Sequence, residues 1–216
     1  MNYGPKTVTS GLLLAVDAAN KRSYPGTGTS WFDLSGNGIT GTLTNGPTFN
    51  AANMGSIVFD GTNDYVVASN SLLVHRTSNW TYSCWLNFTS IPAYATIFSN
   101  GTWGSCLLFR YESGGVAIYS MSSLWGNFTF SPSLARWYKL DFIRNGNSVY
   151  FYINASYTQT MSFTADIQPN SNFYIGAHGT IEVFNGKISQ VSIYNRALSA
   201  SEVLQNYNST KSRYNL

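Results

Sequence analysis

Apolar and polar positions alternate with a period of two in many short stretches of this chain, a pattern typical of β-strands. The strongest alternation covers residues 79–88. One face of this predicted strand carries Trp80, Tyr82, Cys84, Leu86 and Phe88. Because successive side chains of a strand point to opposite faces, Ser83, Trp85 and Asn87 form the second face. We therefore predict a strand with two distinct faces at this position.

The same reasoning predicts further strands at short spacing. They cover residues 11–18, 41–45, both sides of the turn at 60–64, 95–98, 106–111, 115–121, 128–130, 137–144, 148–154, 172–177 and 187–194. The tripeptide Asn-Gly-Asn at 145–147 joins two of these runs, and Asn-Gly between alternating runs is a strong hairpin signal. Residues 21–37 are predicted to form a loop. Its Trp31 and Leu34 either pin it to the core or are exposed and bind sugar.

One helix is visible, in residues 198–207. Ser199 and Glu202 have the spacing of a capping box, and Leu198 and Val203 have that of a hydrophobic staple. A dozen or so short strands with a single terminal helix predict an all-β fold. The expected architecture is a two-sheet antiparallel sandwich with one short C-terminal helix.

The chain has 216 residues and no composition break that marks a second domain. We expect an N-terminal arm at residues 1–10 and one sandwich domain at residues 11–207. Residues 208–216 then form a C-terminal tail, either exposed or docked as an arm.

The turn at residues 60–64, Asp-Gly-Thr-Asn-Asp, gathers several side-chain oxygens. Asp60, Asn63 and Asp64 supply them, and clusters of oxygen ligands suit Ca²⁺. Asp and Asn side chains also accept hydrogen bonds from nearby backbone amides in turns. The sequence therefore predicts either a calcium site at these three residues or a turn whose oxygens serve only as caps.

Composition limits the partners. Hydrophobic residues make up 44% of the chain and charged residues 10%, which is enough apolar surface for a sizeable core. The net charge of +3 is small and scattered, so no nucleic-acid partner is expected. The apolar run at 12–16 is too short to span a bilayer, and residues 1–6 do not have the pattern of a signal peptide. We expect no membrane partner.

The two cysteines, Cys84 and Cys106, both lie in predicted strands. Buried thiols that act as small hydrophobic side chains are expected. A disulfide between neighbouring strands is the alternative.

Two tryptophans lie among glycine and polar residues in predicted loops: Trp103 in residues 100–105 and Trp125 in residues 123–127. A flat ring beside amide and hydroxyl groups suits the apolar face and hydroxyls of a sugar, so both are candidates for glycan binding. In the alternative interpretation, the two rings plug the ends of the sandwich or pack at a subunit interface.

Several segments resemble, in order, the signature segments of laminin-G-like, concanavalin A-like jelly-roll domains. The sequence F-D-G-T-N-D-Y-V at 59–66 resembles an F-D-G-x-x-D-Y-V signature, and residues 184–199 resemble a closing G-x-I-D-E-V-x-I-Y-N-R-A-L-S motif. The opening strand at 11–20 and the D-L-S-G-N-G loop at 33–38 are similar to bacteriophage and bacterial members. The resemblance runs from residue 11 to residue 207 and implies a jelly roll.

One departure concerns metal binding. Ser189 and Gln190 stand where the closing motif usually has Asp-Glu. In metal-binding relatives, acidic and carbonyl oxygens near these turns help to hold calcium. Losing two carboxylates weakens the electrostatic attraction for a divalent cation, although Asp60 and Asp64 remain.

Catalytic side chains are few and scattered. Glycosidases use two carboxylates that flank the scissile bond, and glucanases of this fold class carry them as E-x-D-x-x-E on one strand. Glu112, Glu182 and Glu202 do not have this spacing, and Glu202 is used by the helix cap. His75 and His178 are isolated and are expected to be loop or surface residues. We therefore expect a protein that is not an enzyme.

The resemblance is strongest to the phage group, although fold alone does not give function. It implies a structural, decoration or adhesion protein on a bacteriophage virion, assembled in the host cytoplasm. The expected partners are other virion proteins, host-surface polysaccharide and further copies of the chain in a symmetric oligomer. The alternative is a free-standing, lectin-like carbohydrate-binding module.

Overall fold

The computed structural model describes residues 6–68, 79–101, 107–120, 123–165 and 172–216. These residues form two antiparallel sheets of eight strands each and one short helix, α1, at Ala200–Asn208. The first eight strands are β1 Leu12–Asp17, β2 Ser30–Phe32, β3 Thr40–Thr44, β4 Thr48–Asn50, β5 Ser56–Asp60, β6 Tyr65–Ala68, β7 Trp80–Phe88 and β8 Tyr94–Asn100. The others are β9 Leu107–Glu112, β10 Gly115–Ser120, β11 Ser123–Thr129, β12 Trp137–Asn145, β13 Ser148–Ile153, β14 Ser156–Ser162, β15 Phe173–Ile175 and β16 Asn185–Tyr194.

The first sheet has the order β14-β13-β12-β7-β16-β5-β4. The long strand β16 pairs with β5 through its first half and with β1 through its second half, so both strands lie along the same edge. Strands β12 and β13 form the hairpin predicted from Asn-Gly-Asn, with Asn145 opposite Ser148. The first and last strands therefore lie side by side, as the termini of a sandwich often do.

The second sheet has the order β11-β10-β9-β8-β15-β6-β3-β2. Its strands β8, β9 and β10 are consecutive antiparallel neighbours. The main hydrophobic core lies between the two sheets. All five residues predicted on one face of the strand at 79–88 belong to it: Trp80, Tyr82, Cys84, Leu86 and Phe88.

The outer face of the first sheet is covered by the C-terminal segment. Trp85, on the opposite face of β7 from the core residues, is fully buried, and its ring stacks on Tyr214 at a centroid distance of 4.2 Å. Trp85 Nε1 donates to Thr210 Oγ1 at 2.9 Å. Tyr214 ends a 3₁₀ helix, Lys211–Tyr214, and its hydroxyl is hydrogen-bonded to Ser189. Of the two alternatives for residues 208–216, the structure has the docked arm.

Helix α1 begins as the sequence predicts. Glu202 N donates to Ser199 Oγ at 3.3 Å, and Ser199 N donates to Glu202 Oε2 at 2.9 Å, so the capping box is confirmed. Arg196 also donates to both oxygens of Glu202, at 2.8 and 2.6 Å. Leu198 and Val203, the predicted staple, are buried in one cluster with residues of β12 and β16. The cap and the staple together fix the helix against the first sheet.

A buried ion pair lies on the same covered face. Lys139 and Asp141 are 2% and 0% exposed, form an ion pair, and lie two residues apart on β12. Lys139 Nζ also donates to Ser83 Oγ at 2.6 Å, while Asp141 Oδ2 accepts no hydrogen bond in the described structure. The pair lies beside Trp85 and Ser83 of β7, which are opposite Lys139 and Asp141 in the register.

The all-β, two-sheet jelly-roll sandwich with one C-terminal helix is confirmed. Three short or polar strands, β2, β4 and β14, were not predicted. Strands β2 and β4 have three residues each, and every residue of β14 is exposed or half-buried, so apolar alternation is weak in all three. Trp31 is fully buried in the core, which confirms that it pins its loop. In the described part of the chain, no helix is long and apolar enough to cross a membrane.

Candidate functional site

The outer face of the second sheet carries a compact group of charged and aromatic side chains where β8, β9 and β10 run together. On β9, Phe109 and Tyr111 belong to the core, so the alternate residues Arg110 and Glu112 point outwards. The register places Glu112 opposite Tyr94 of β8. We call this group the Arg110 cluster, and its members are Tyr94, Arg110, Glu112, Tyr119, His178 and Glu182.

The connection between β15 and β16 brings the last two members to the sheet. His178 and Ile181 hydrogen-bond through their backbones at 2.9 and 3.2 Å, which closes a tight turn. Thr96 N then donates to Glu182 O at 2.8 Å, so the connection is anchored to β8. Glu182 consequently reaches Arg110, which lies 72 residues earlier in the chain.

Arg110 holds the cluster together through its guanidinium group. Its Nε donates to Glu112 Oε2 at 2.9 Å, Nη2 forms an ion pair with the same oxygen, and Nη1 donates to Glu182 Oε1 at 2.6 Å. The Tyr119 hydroxyl accepts from Arg110 Nη2 at 3.0 Å and donates to Glu112 Oε1 at 2.6 Å. Burial lowers the pKa of Arg110, but these bonds to Glu182 and Glu112 outweigh it, and its net pKa is raised.

Two aromatic rings enclose the guanidinium. Arg110 Cζ lies 4.5 Å from the ring centroid of Tyr94 and 4.7 Å from that of Tyr119, both within cation–π range. Arg110 is only 5% exposed, whereas Tyr94 is 51% exposed. Tyr94 therefore presents an aromatic surface to solvent over a buried, charged support.

Electrostatically, the Arg110 cluster is negative. His178 is 3% exposed, and burial lowers its pKa, partly opposed by the charge of Glu182, so the imidazole is neutral at pH 7. Its Nδ1 lies 3.7 Å from Glu182 Oε2. With a neutral histidine, two carboxylates face one guanidinium. The expectation that His178 is a loop or surface residue is correct for the loop and wrong for the surface, because the turn folds the ring against the sheet.

Trp125 does not lie in a loop, so that part of the sequence interpretation is wrong. It belongs to β11, whose pairing with β10 continues through Gly126 opposite Ile118. The Trp125 ring is half-buried, packs against the core and meets the Phe163 ring at a centroid distance of 5.4 Å. Glycan contact by Trp125 stays a prediction. Trp103, the other candidate, lies outside the described residues.

The predicted calcium residues form a capped turn. Asp60 Oδ1 accepts from Thr62 N at 2.7 Å, and Asp64 Oδ2 accepts from Asp60 N at 3.0 Å. The Asn63 carbonyl accepts from Asn45 Nδ2 at 2.9 Å. Burial raises the pKa of Asp64, and the neighbouring Asp60 charge raises it further, against the lowering effect of the backbone hydrogen bond from Asp60.

One oxygen of each carboxylate, Asp60 Oδ2 and Asp64 Oδ1, makes no hydrogen bond in the described structure. Together with the Asn63 amide oxygen, they are the side-chain atoms that could hold Ca²⁺, an ion that takes six to eight oxygens. Among the described residues, no group of three or more His, Cys, Asp or Glu is arranged to hold a metal. A calcium ion here would need backbone and water oxygens for most of its shell, and the site stays a prediction.

Cys84 is a free, buried thiol. Burial raises its pKa strongly, which keeps it protonated and inert, as expected for a small hydrophobic side chain. Cys106 and His75 lie outside the described residues.

The sequence shows Glu112 and Glu182 without the spacing of a catalytic motif, and His178 as an isolated residue. The sequence does not show that these side chains meet at Arg110. Glu182 and His178 reach the sheet through the β15–β16 connection, which has no alternation of apolar and polar residues. One local signal was available: Arg110 and Glu112 share the outer face of β9, directly before a Ser-Gly turn into β10. A charged pair on one face of an otherwise apolar strand marks a functional or structural site.

A family model described as the concanavalin A-like lectin/glucanases superfamily matches residues 60–204. No curated protein sequence matches the chain. Among solved structures, domain 4 of AbnA, a GH43 extracellular arabinanase from Geobacillus stearothermophilus in complex with arabinotriose, is 19% identical, with a TM-score of 0.75. The alignment covers 91% of this chain and 98% of that domain.

Two larger proteins contain the same fold. The botulinum neurotoxin serotype D binding domain is 13% identical, with a TM-score of 0.74 over 93% of this chain and 52% of that one. Trypanosoma rangeli sialidase is 16% identical, with a TM-score of 0.71 over 96% of this chain and 34% of that one. At these identities the likeness shows the fold alone. The family match covers more than half of the sequence, and the chain belongs to the concanavalin A-like lectin/glucanase superfamily.

Proposed function

We propose that this protein is a non-enzymatic adhesion or decoration domain on a bacteriophage virion, and that it binds host-surface glycans at the Arg110 cluster. One observation carries the glycan part of the proposal: the half-exposed Tyr94 ring rests on a buried guanidinium that is fixed by two carboxylates. A rigid, exposed ring beside polar groups suits the apolar face and hydroxyls of a sugar. The net negative charge of the cluster favours a neutral glycan over an acidic one.

The same contacts argue against catalysis. A glycosidase needs two carboxyl groups that are free to act on either side of the scissile bond. Glu112 and Glu182 both pair with Arg110, and Glu202 pairs with Arg196. No glutamate of the chain is left without a cationic partner, which supports a binding role.

Two further lines support the proposal. The arabinanase domain of the same fold is in complex with arabinotriose, so a sandwich of this shape can accommodate a short oligosaccharide. The opening strand and the L-S-G-N-G loop resemble phage members of the superfamily. In a virion, the domain would contact other virion proteins and further copies of itself.

The test is binding of the purified protein to a panel of bacterial polysaccharides, with and without EDTA. Tyr94→Ala is the informative variant. Tyr157→Ala is its matched control, because Tyr157 is 58% exposed and lies on β14 of the other sheet. We expect saturable binding to a neutral glycan, a loss of about 10-fold or more in affinity for Tyr94→Ala, and no change for Tyr157→Ala.

Equal affinities for both tyrosine variants would refute the Arg110 cluster as the glycan site. Loss of binding with EDTA would support calcium at Asp60, Asn63 and Asp64, and unchanged binding would remove calcium from the proposal. Mass spectrometry of purified virions tests the location, since a stoichiometric virion protein must be present in them.

A free-standing carbohydrate-binding module is the second candidate. It is favoured by the likeness in fold to an arabinanase domain that is in complex with arabinotriose, a neighbour with no stated connection to a virion. Glycan binding by a protein that is absent from virions would support this candidate.

A further inference from the structure

A cleft lies on the outer face of the first sheet, whereas the Arg110 cluster lies on the outer face of the second. It has a volume of about 360 Å³ and is formed between β1, β16, the residues before β1 and the C-terminal segment. We call it the terminal cleft. Its polar lining includes Lys6, Asp17, Asn20, Gln190, Ser192 and Arg213.

The walls of the terminal cleft are tied together by polar contacts. Val8 N donates to Asn206 Oδ1 at 2.8 Å, and the Thr7 and Ser209 hydroxyls are 3.3 Å apart. Gln205 Nε2 donates to Lys6 O at 2.7 Å. The residues before β1 are therefore held against α1, and the cleft is already formed without a ligand.

Two side chains on the floor have unused hydrogen-bonding capacity. Ser192 and Gln190 lie two residues apart on the same outward face of β16, and both line the cleft. Ser192 is 6% exposed as a residue, but its hydroxyl is not one of the fully buried, unpaired polar atoms of the described structure, so it faces the open cleft. The Ser192 hydroxyl and the half-buried Gln190 amide are therefore available to bond to water or to a ligand in the cleft.

The charged side chains that line the terminal cleft carry a net charge of one positive unit. Arg213 Nη1 donates to both oxygens of Asp17, at 2.9 and 2.8 Å, so these two charges compensate each other. Lys6 has no carboxylate partner among the described residues. The terminal cleft therefore differs in sign from the Arg110 cluster.

We infer that the terminal cleft binds a carboxylated sugar residue, a ligand class distinct from the neutral glycan proposed for the Arg110 cluster. The Lys6 ammonium pairs with the carboxylate, and Ser192 and Gln190 bond to sugar hydroxyls. Leu12 and Leu34 supply the apolar part of the lining. A volume of this size lies at the lower end of small-molecule sites, about 300–1,000 Å³, and suits one or two sugar rings.

The test is NMR titration of the isotopically labelled protein with D-glucuronate. D-glucose is the neutral control and acetate is the control for a simple carboxylate. We expect saturable shifts of the β16 and C-terminal amides with glucuronate, and affinities about 10-fold weaker or more for glucose and acetate, because each lacks one set of contacts. Equal responses to glucuronate and either control, or no saturable response to glucuronate, would overturn the inference.

Variants locate the site. Ser192→Ala removes one hydroxyl and should weaken glucuronate binding about 3- to 10-fold, and Lys6→Gln should weaken it similarly. Gln190→Ala repeats the test at a half-buried position if Ser192→Ala does not fold. Tyr94→Ala should leave glucuronate binding unchanged, because it alters the other site. Unchanged affinity in the folded cleft variants would contradict the assignment, even if the Arg110 cluster binds its glycan.

Discussion

The outer faces of the two sheets differ in how far they are covered by other parts of the chain. On the outer face of the first sheet, the C-terminal helix and arm bury Trp85 beneath Tyr214, and the Lys139–Asp141 pair is buried on the same face. Among the residues that the structure describes, the outer face of the second sheet has no such layer at β8–β10, and Tyr94 stays half-exposed above Arg110. Both faces place an ion pair on the outward positions of a central strand.

The difference concerns what each ion pair does. On the first sheet both members of the pair are buried, so removing one partner leaves the other charge away from water and without compensation. On the second sheet the charges fix an aromatic ring that remains open to solvent. We infer that the first face stabilises the fold and that the second is free to bind a ligand.

The largest expected loss of stability follows from a substitution on the covered face of the first sheet. Trp85→Ala should lower the free energy of unfolding by about 4 kcal/mol, because it empties a fully buried aromatic site and removes the bond to Thr210. Tyr94→Ala, the large aromatic change on the open face, should lower it by less than about 1 kcal/mol. Urea denaturation of both variants measures the contrast. Losses of similar size would contradict the division between the two faces.

The next effect tests the buried pair. Lys139→Met should lower the free energy of unfolding by about 3 kcal/mol, because it leaves the Asp141 carboxylate buried without its cation. The double variant Lys139→Met/Asp141→Leu should recover most of that loss. Chemical denaturation of the two variants checks this, and a double variant as unstable as the single one would show that the pair itself is stabilising.

A smaller effect depends on pH. Arg196 lowers the pKa of Glu202 to about 2, mainly through their hydrogen bonds. Because the folded-state pKa lies below the unfolded value of 4.5, the pair stabilises the fold above that value, and this contribution is lost as the pH falls through about 2. Glu202→Gln should therefore cost about 1 kcal/mol at pH 7 and much less at pH 2, where Glu202 is about half protonated in the folded state. Denaturation at several pH values measures this cost. The same difference in unfolding free energy between wild type and Glu202→Gln at pH 7 and pH 2 would show that the ion pair is not its cause.

The smallest effect concerns the open face. Tyr119→Phe removes a hydroxyl that bonds to Glu112 and Arg110, and should lower stability by about 0.5 kcal/mol, since Arg110 keeps both carboxylates. Thermal unfolding followed by circular dichroism measures it. A loss as large as that of Lys139→Met would mean that the Arg110 cluster is a structural pair like the one on the first sheet.

The sequence predicts much of the fold because its signals are local. The alternation in residues 79–88, the Asn-Gly-Asn hairpin and the Ser199–Glu202 box each depend on a few neighbouring residues, and all three are confirmed. The exposed edge strand β14 escapes detection, since it buries too little to alternate. The sequence around Trp125 has the pattern of a loop because its Gly and polar neighbours mask a paired strand.

The candidate site is harder to predict because it is not local. Arg110 and Glu112 are visible as an outward pair on β9, but Glu182 joins them only through the path of the β15–β16 connection. That path is fixed by backbone hydrogen bonds to β8. The alternation of apolar and polar residues in the sequence does not predict such bonds. The same holds for the terminal cleft, whose walls come from the two ends of the chain.

The most direct measurement is a map of backbone amide shifts in the labelled protein as the neutral glycan selected from the panel is added. The largest shifts should lie on β8, β9 and β10 around Tyr94, Arg110 and Tyr119, with the covered face of the first sheet unchanged. Saturable shifts confined to the first sheet or to the C-terminal segment would contradict the assignment of glycan binding to the open face.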